Sequence, residues 1–105
     1  MRDIKWSSSE KRIARQAFDA ALESVLAGVM VEFKARAAAA STWSEMWAVE
    51  DYLRRSRREI DETFDYRYSQ LLFVFARLIR GGNLKEAQLA GLSEQKLTIL
   101  RDMLS

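Results

Sequence analysis

The chain has 105 residues, 17 basic and 15 acidic, for a formal charge of +2, and contains no Cys, His or Pro. That length holds one domain and not two independent cores. Without Cys and His there are no disulfides, no thiolate nucleophile, no imidazole base and no His metal ligand, and so small a net charge argues against bulk nucleic-acid binding.

Only 4 Gly, with abundant Ala, Leu, Arg and Glu, favour long helices. The start, MRDIKWSSSEKR, has no apolar h-region, so no secretory signal is expected. The apolar run Leu71–Ala76 is far shorter than the about 20 residues of a membrane span. A cytoplasmic protein without membrane contact is expected.

The first helix is predicted to start at Ser7, which can cap while Glu10, three residues on, reaches back as a capping box. Phe18, Leu22, Val25, Leu26, Val29 and Phe33 then recur on one stripe, with Lys11, Arg15, Asp19, Glu23 and Lys34 mostly off it. The pattern continues to about Ala40, giving about 30 residues and about 45 Å. A compact chain of this size has a radius of gyration of about 13 Å. The helix outruns its own domain, so a dimer that buries the overhang is expected; a long edge helix in a monomer is the alternative.

Ser41-Thr42 breaks the pattern, and Thr42 with Glu45 gives a second capping-box signal. The second helix runs to about Phe64, with Met46, Val49, Leu53, Ile60 and Phe64 on one side. Trp47 falls well away from them, among Glu50, Asp51, Arg54, Arg58 and Asp61, where its own helix's apolar face cannot bury it. Another element of the chain could cover it. The alternative is an interface anchor, since Trp and Arg are enriched among hot spots. Glu50–Arg54, Asp51–Arg55 and Arg57–Asp61 are the expected pairs one turn apart, each contributing about 0.2–0.5 kcal/mol. Arg54, Arg55, Arg57 and Arg58 read either as a solvated, self-paired face or as a binding stripe.

A third helix is predicted over Tyr66–Arg80, apolar all round from Leu71 to Ala76 and so buried between others. Gly81-Gly82 stops it. Two short helices follow, Leu84 to about Gly91 and, capped by Ser93, Glu94 to Leu104; Leu89, Leu92, Leu97, Leu100 and Leu104 make their packing face.

Little chemistry is available. No Gly-rich loop joins a strand to a helix, so no phosphate cradle is expected. Asp61, Glu62 and Asp65 cluster, but a di-metal bundle site also wants Glu-x-x-His pairs. Tyr52, Tyr66 and Tyr68 fit packing with the hydroxyl at the surface. No enzyme activity, metal or cofactor is expected.

The segment W-x-x-x-D-[FY]-L-x(3)-R-x-E-I-D-x-x-[FY]-D-x-R-x-S-x(3)-F-V-F-A-x-L resembles the fluorescence recovery protein family of cyanobacteria and its relatives in other bacteria. It is carried by Trp47, Asp51, Tyr52, Leu53, Arg57, Glu59, Ile60, Asp61, Phe64, Asp65, Arg67, Ser69, Phe73, Val74, Phe75, Ala76 and Leu78. Trp6-Ser7 and Phe18 are weaker echoes.

The resemblance implies an all-α homodimer without cofactor, in which residues 1–64 supply long dimerisation helices and 65–105 a buried helix and small helical head. It also implies binding of photoactivated orange carotenoid protein, chiefly through that protein's C-terminal domain. The consequence would be faster return to the resting orange form and detachment from the phycobilisome. The family's interaction and dimer residues carry over to Trp47, Asp51 and Arg57, and its head aromatic to Phe73; Glu50, Tyr52 and Arg54 complete the candidate site. Asp51 and Arg57, six positions apart, are expected at or beside the subunit interface, where a two-fold axis would repeat each contact. Two departures stand out. Glu50 occupies the position where the cyanobacterial pattern has His, and Arg54 and Arg55 replace smaller, less basic residues. They imply a divergent relative with a different or broader native partner. The alternative function is a helical dimer that binds nucleic acid or an anionic surface through Arg54–Arg58.

Overall fold

Ser7 opens the first helix as its sequence requires. Its hydroxyl accepts the Glu10 amide at 3.2 Å and the Glu10 carboxylate accepts the Ser7 amide at 3.0 Å, closing the capping box. In this computed structural model, which describes residues 5–105, helix α1 then spans Ser8–Ala39. The first four residues of the expected dimerisation segment lie outside the described residues. After a short turn, α2 (Trp43–Thr63) runs back beside the second half of α1. The Thr42 hydroxyl caps α2 by accepting the Glu45 amide at 3.1 Å. Glu45 returns to the Ser41 and Thr42 hydroxyls instead of the Thr42 amide, so half of the expected box forms.

The third helix, α3, begins at Leu71 and not at Tyr66. Aromatic packing holds the preceding segment out of the helix. Phe64 and Tyr66 set their rings edge-on against Phe18 of α1, at 5.2 and 4.9 Å, and Tyr68 packs on Tyr66 and Trp6. The Arg15 guanidinium covers the other side of Tyr66, 3.7 Å from its centroid. Nor is α3 buried all round: Phe73 and Arg77 open one face to solvent, while Leu71, Leu72, Val74, Phe75, Ala76 and Leu78 are buried.

At the end of α3 the Asn83 amide reaches the Leu78 carbonyl at 2.9 Å and the Gly82 amide reaches Ile79 at 3.0 Å. This is a Schellman stop, with Gly82 at φ +77° where a side chain would strain. The helix expected from Leu84 to Gly91 shrinks to one 3-10 turn, Glu86–Leu89. Leu84, Leu89 and Leu92 anchor this segment at intervals that fit no single helical face, and Gly91 at φ +103° turns the chain into α4 (Glu94–Leu104).

The chain is thus all-α, in two parts of unequal covering. Phe75, Leu71, Leu89 and Leu100 centre a head whose core also takes Trp6, Ala14, Ala17, Phe18 and Ala21 from the first half of α1. Glu10 ties this half to α4. Its carboxylate accepts the Ser93 amide at 2.9 Å and the Lys96 ammonium at 3.1 Å, and Lys96 is 3 % exposed. Burial pushes the Glu10 carboxyl up, but the Ser7 and Ser93 amides and Lys96 outweigh it and hold the pKa at about 2. Beyond Ala21, α1 buries nothing, and α2 buries only Ser56. The pair stands out as an arm, giving extents of 53 × 26 × 25 Å and a radius of gyration of 16.8 Å.

Candidate functional site

The arm presents two different faces. Trp47, Asp51, Arg54 and Arg58 follow one another at helical intervals of four, three and four, which sets them on one outward stripe of α2. Trp47 is 61 % exposed, so no described element of its own chain covers it. Tyr52 lies on the side facing α1, where the Arg36 guanidinium stacks 4.3 Å from its ring centroid. Arg36 in turn binds Glu32 at 2.7 Å.

Of the three expected ion pairs, only Glu50–Arg54 forms, at 2.7 Å. Among the described residues Asp51 and Arg55, and Arg57 and Asp61, do not come within ion-pair distance. One turn of helix brings such side chains near each other, but exposed chains gain too little from pairing to be held there. Asp51, Arg55, Arg57 and Arg58 therefore have no ion-pair partner among the described residues. Arg36, Ala48, Asp51, Arg54, Arg55 and Arg58 line a hollow of about 410 Å³ on this face.

The second face is apolar. A groove of about 700 Å³ runs along the tip of the arm between Phe33 and Ala37 of α1 and Trp43, Met46, Val49 and Leu53 of α2. Trp43, Met46 and Leu53 are exposed, and Leu26 and Met30 extend the apolar surface along α1. Sequence reasoning placed Met46, Val49 and Leu53 on one side of the second helix without identifying the groove they line with α1. The side of α2 that meets α1 carries Tyr52, Ser56, Ile60 and Thr63 instead, so the apolar arc is wider than one neighbouring helix covers. Phe73, 48 % exposed, sits apart from both faces, on α3 in the head, with Arg77 one turn on.

No cluster of acidic side chains among the described residues is placed to hold a metal ion, and no described helix is long and apolar enough to cross a membrane. Tyr66 reaches the Lys11 carbonyl at 3.5 Å, and burial, with Tyr68 beside it, pushes its hydroxyl pKa up, away from acid chemistry at neutral pH.

Comparison with known proteins agrees with this architecture. The family model described as photoprotection regulator fluorescence recovery protein matches residues 6–104. The fluorescence recovery protein of Synechocystis sp. strain PCC 6803 is 32 % identical over 94 residues, which cover 90 % of this chain and 86 % of that protein. The solved fluorescence recovery protein of Fremyella diplosiphon superposes with a TM-score of 0.90 at 35 % identity, covering 94 % of this chain and 97 % of that one. The solved Synechocystis protein gives 0.84 at 28 % identity, over 91 % and 99 % of the two chains.

Proposed function

Because the chain belongs to the fluorescence recovery protein family of photoprotection regulators, we propose that it is a non-enzymatic homodimer that binds photoactivated orange carotenoid protein or a related partner. Binding speeds the partner's return to its resting form. The observation that carries this reading is the uncovered apolar face of the arm, from Leu26 and Met30 through Met46 and Leu53. Each square ångström of apolar surface left in water forgoes about 25 cal/mol, so a long arm with a single buried side chain on α2 calls for a second copy against it. A two-fold dimer through this groove covers both copies at once.

The candidate contacts divide by role. Arg57, one turn beyond Leu53 and without an ion-pair partner among the described residues, is assigned to the subunit interface or its edge, whereas Asp51, in the hollow on the other side of α2, is assigned to the partner. Trp47, Glu50 and Arg54 form the partner-facing patch of the arm, Tyr52 supports it from the α1 side by holding Arg36, and Phe73 is the anchor on the head. A partner bound more tightly in one conformer than another has its equilibrium shifted by that difference in affinity, with no chemistry on the regulator.

The test mixes the purified protein with photoactivated orange carotenoid protein and follows recovery of the orange absorbance in the dark, beside Glu50→His. Acceleration by the unaltered chain supports the reading. Acceleration only by the His variant locates the change of partner at that side chain. No acceleration by either form removes carotenoid protein as the partner.

A further inference from the structure

We infer that the hollow lined by Arg36, Asp51, Arg54, Arg55 and Arg58 binds an acidic segment of a protein partner, with carboxylates of that segment seated on Arg55 and Arg58. The inference rests on the reading that this chain acts by binding a protein, and it names the chemistry of what is bound.

The four guanidinium groups are not equivalent. Arg36 is occupied by Glu32 and by the face of Tyr52. Arg54 is occupied by Glu50. Among the described residues no carboxylate comes within ion-pair distance of Arg55 or Arg58. Two fixed cations therefore flank two uncommitted ones in one concavity. Arg55 and Arg58 stand about 4.5 Å apart along the helix axis, a spacing that two carboxylates on one peptide can match. A guanidinium binds a planar carboxylate through two parallel hydrogen bonds, so each seat is directional as well as charged.

The same hollow is poorly suited to nucleic acid. Asp51 lies in its wall, and Glu50 stands beside it on Arg54. A uniformly anionic phosphate chain would be repelled by both, whereas a protein segment can set a donor against Asp51. The net charge of +2 supplies no long basic track. Trp47, on the same stripe as Asp51, Arg54 and Arg58, adds an exposed indole next to the hollow. The fitting ligand thus combines carboxylates with one apolar side chain. The hollow opens on the side of α2 away from Met46, Val49 and Leu53, so a dimer formed through the apolar groove keeps one hollow free on each subunit.

The test follows the Arg Nε–H and Trp indole N–H signals of the full chain by NMR. Three probes are titrated at fixed salt: a short Glu-rich peptide carrying one Leu, its Gln-for-Glu counterpart, and a single-stranded oligonucleotide. The expected result is saturable shifts at Arg55, Arg58 and Trp47 with the Glu peptide alone. The double variant Arg55→Gln/Arg58→Gln, with unchanged helicity, should weaken that binding by about tenfold or more. Equal response to the Gln peptide, tighter binding of the oligonucleotide, or shifts spread evenly over Arg12, Arg15 and Arg101 would each overturn the assignment. Carotenoid-protein recovery that persists in the double variant while no probe binds also removes the hollow, yet leaves the family reading intact. No acceleration of recovery by the unaltered chain, with the Glu peptide still bound at Arg55 and Arg58, does the reverse.

Discussion

Glu50 grips Arg54 through three hydrogen bonds, from Nη2 to Oε1 at 2.7 Å and to Oε2 at 2.8 Å, and from Nε to Oε2 at 3.1 Å. Both positions depart from the cyanobacterial pattern that this segment resembles, which has His and a smaller residue there. These two departures are therefore one ion pair, in which each side chain explains the other, while the third, Arg55, takes no part in it. The pair is exposed and one helical turn long, so it adds only about 0.5 kcal/mol to the fold. Its larger effect is on the charge presented beside Trp47 and Asp51.

Glu50→His should therefore leave thermal stability nearly unchanged, within about 0.5 kcal/mol, while freeing Arg54. Binding to an acidic partner should strengthen and become more sensitive to salt, because a carboxylate leaves the face and a guanidinium joins it. Partner titrations at two ionic strengths, beside a melting curve, check this. A large loss of stability would mean that the pair holds the arm together and is not a surface feature.

A second prediction concerns acid. The Glu10 carboxyl titrates at about 2 in the folded chain and at about 4.3 when unfolded. A depressed folded pKa stabilises fully above the unfolded value and is lost as pH falls through the window toward the folded one. Lowering the pH from about 5 to about 2 should thus remove on the order of 2 kcal/mol, allowing for solvent at the edge of the head. Glu10→Gln should flatten that slope. It should also cost on the order of 3 kcal/mol at neutral pH, because Lys96 is left buried without its counter-charge. Urea unfolding at several pH values measures both. An unchanged acid slope in the Gln variant would assign the acid response to other carboxylates.

The sequence revealed what is decided locally. Ser7, Thr42, Ser93 and Gly82 each set a helix boundary through bonds to residues three to five positions away, and all four act where their chemistry places them. It misled where distant packing wins. Tyr66 and Tyr68 suit a helix, yet Phe18, Trp6, Lys11 and Arg15 draw them across α1, and α3 starts late. Of the site, the exposure of Trp47 was legible from its charged neighbours. The apolar groove was not, because periodicity marks a helix's apolar face without saying whether one's own chain or another covers it.

Two glycines separate backbone need from mere tolerance. Gly91 has φ +103°, and a Cβ there would meet Ile13 Cδ1 at 2.6 Å. Gly91→Ala should cost about 1–3 kcal/mol through strain and overpacking. Gly28, in the exposed middle of α1, has nothing within 4 Å of where a Cβ would stand. Gly28→Ala should stabilise by about 0.5–1 kcal/mol through helix propensity alone. Denaturant midpoints of the two variants should move in opposite directions; movement the same way would contradict this account of the turn at Gly91.

The assignment of the apolar groove to a second copy is most sharply tested on α1. Leu22, Leu26, Met30, Phe33 and Ala37 follow one another at intervals of three or four and form one stripe. Met30, in its middle, is 53 % exposed and lies outside the head core. Met30→Glu should therefore spare helix content but place an ion in the dimer contact, where its desolvation has no compensating partner. Sedimentation should shift from dimer to monomer at micromolar concentration. Val31, the next residue, points to another side of the same helix and is also exposed. Val31→Glu adds the same charge with the same helix propensity, so it should leave the dimer intact. If both variants dissociate, charge on the arm and not contact through this stripe governs assembly. If neither does, the second copy sits elsewhere and the groove is open to a different partner.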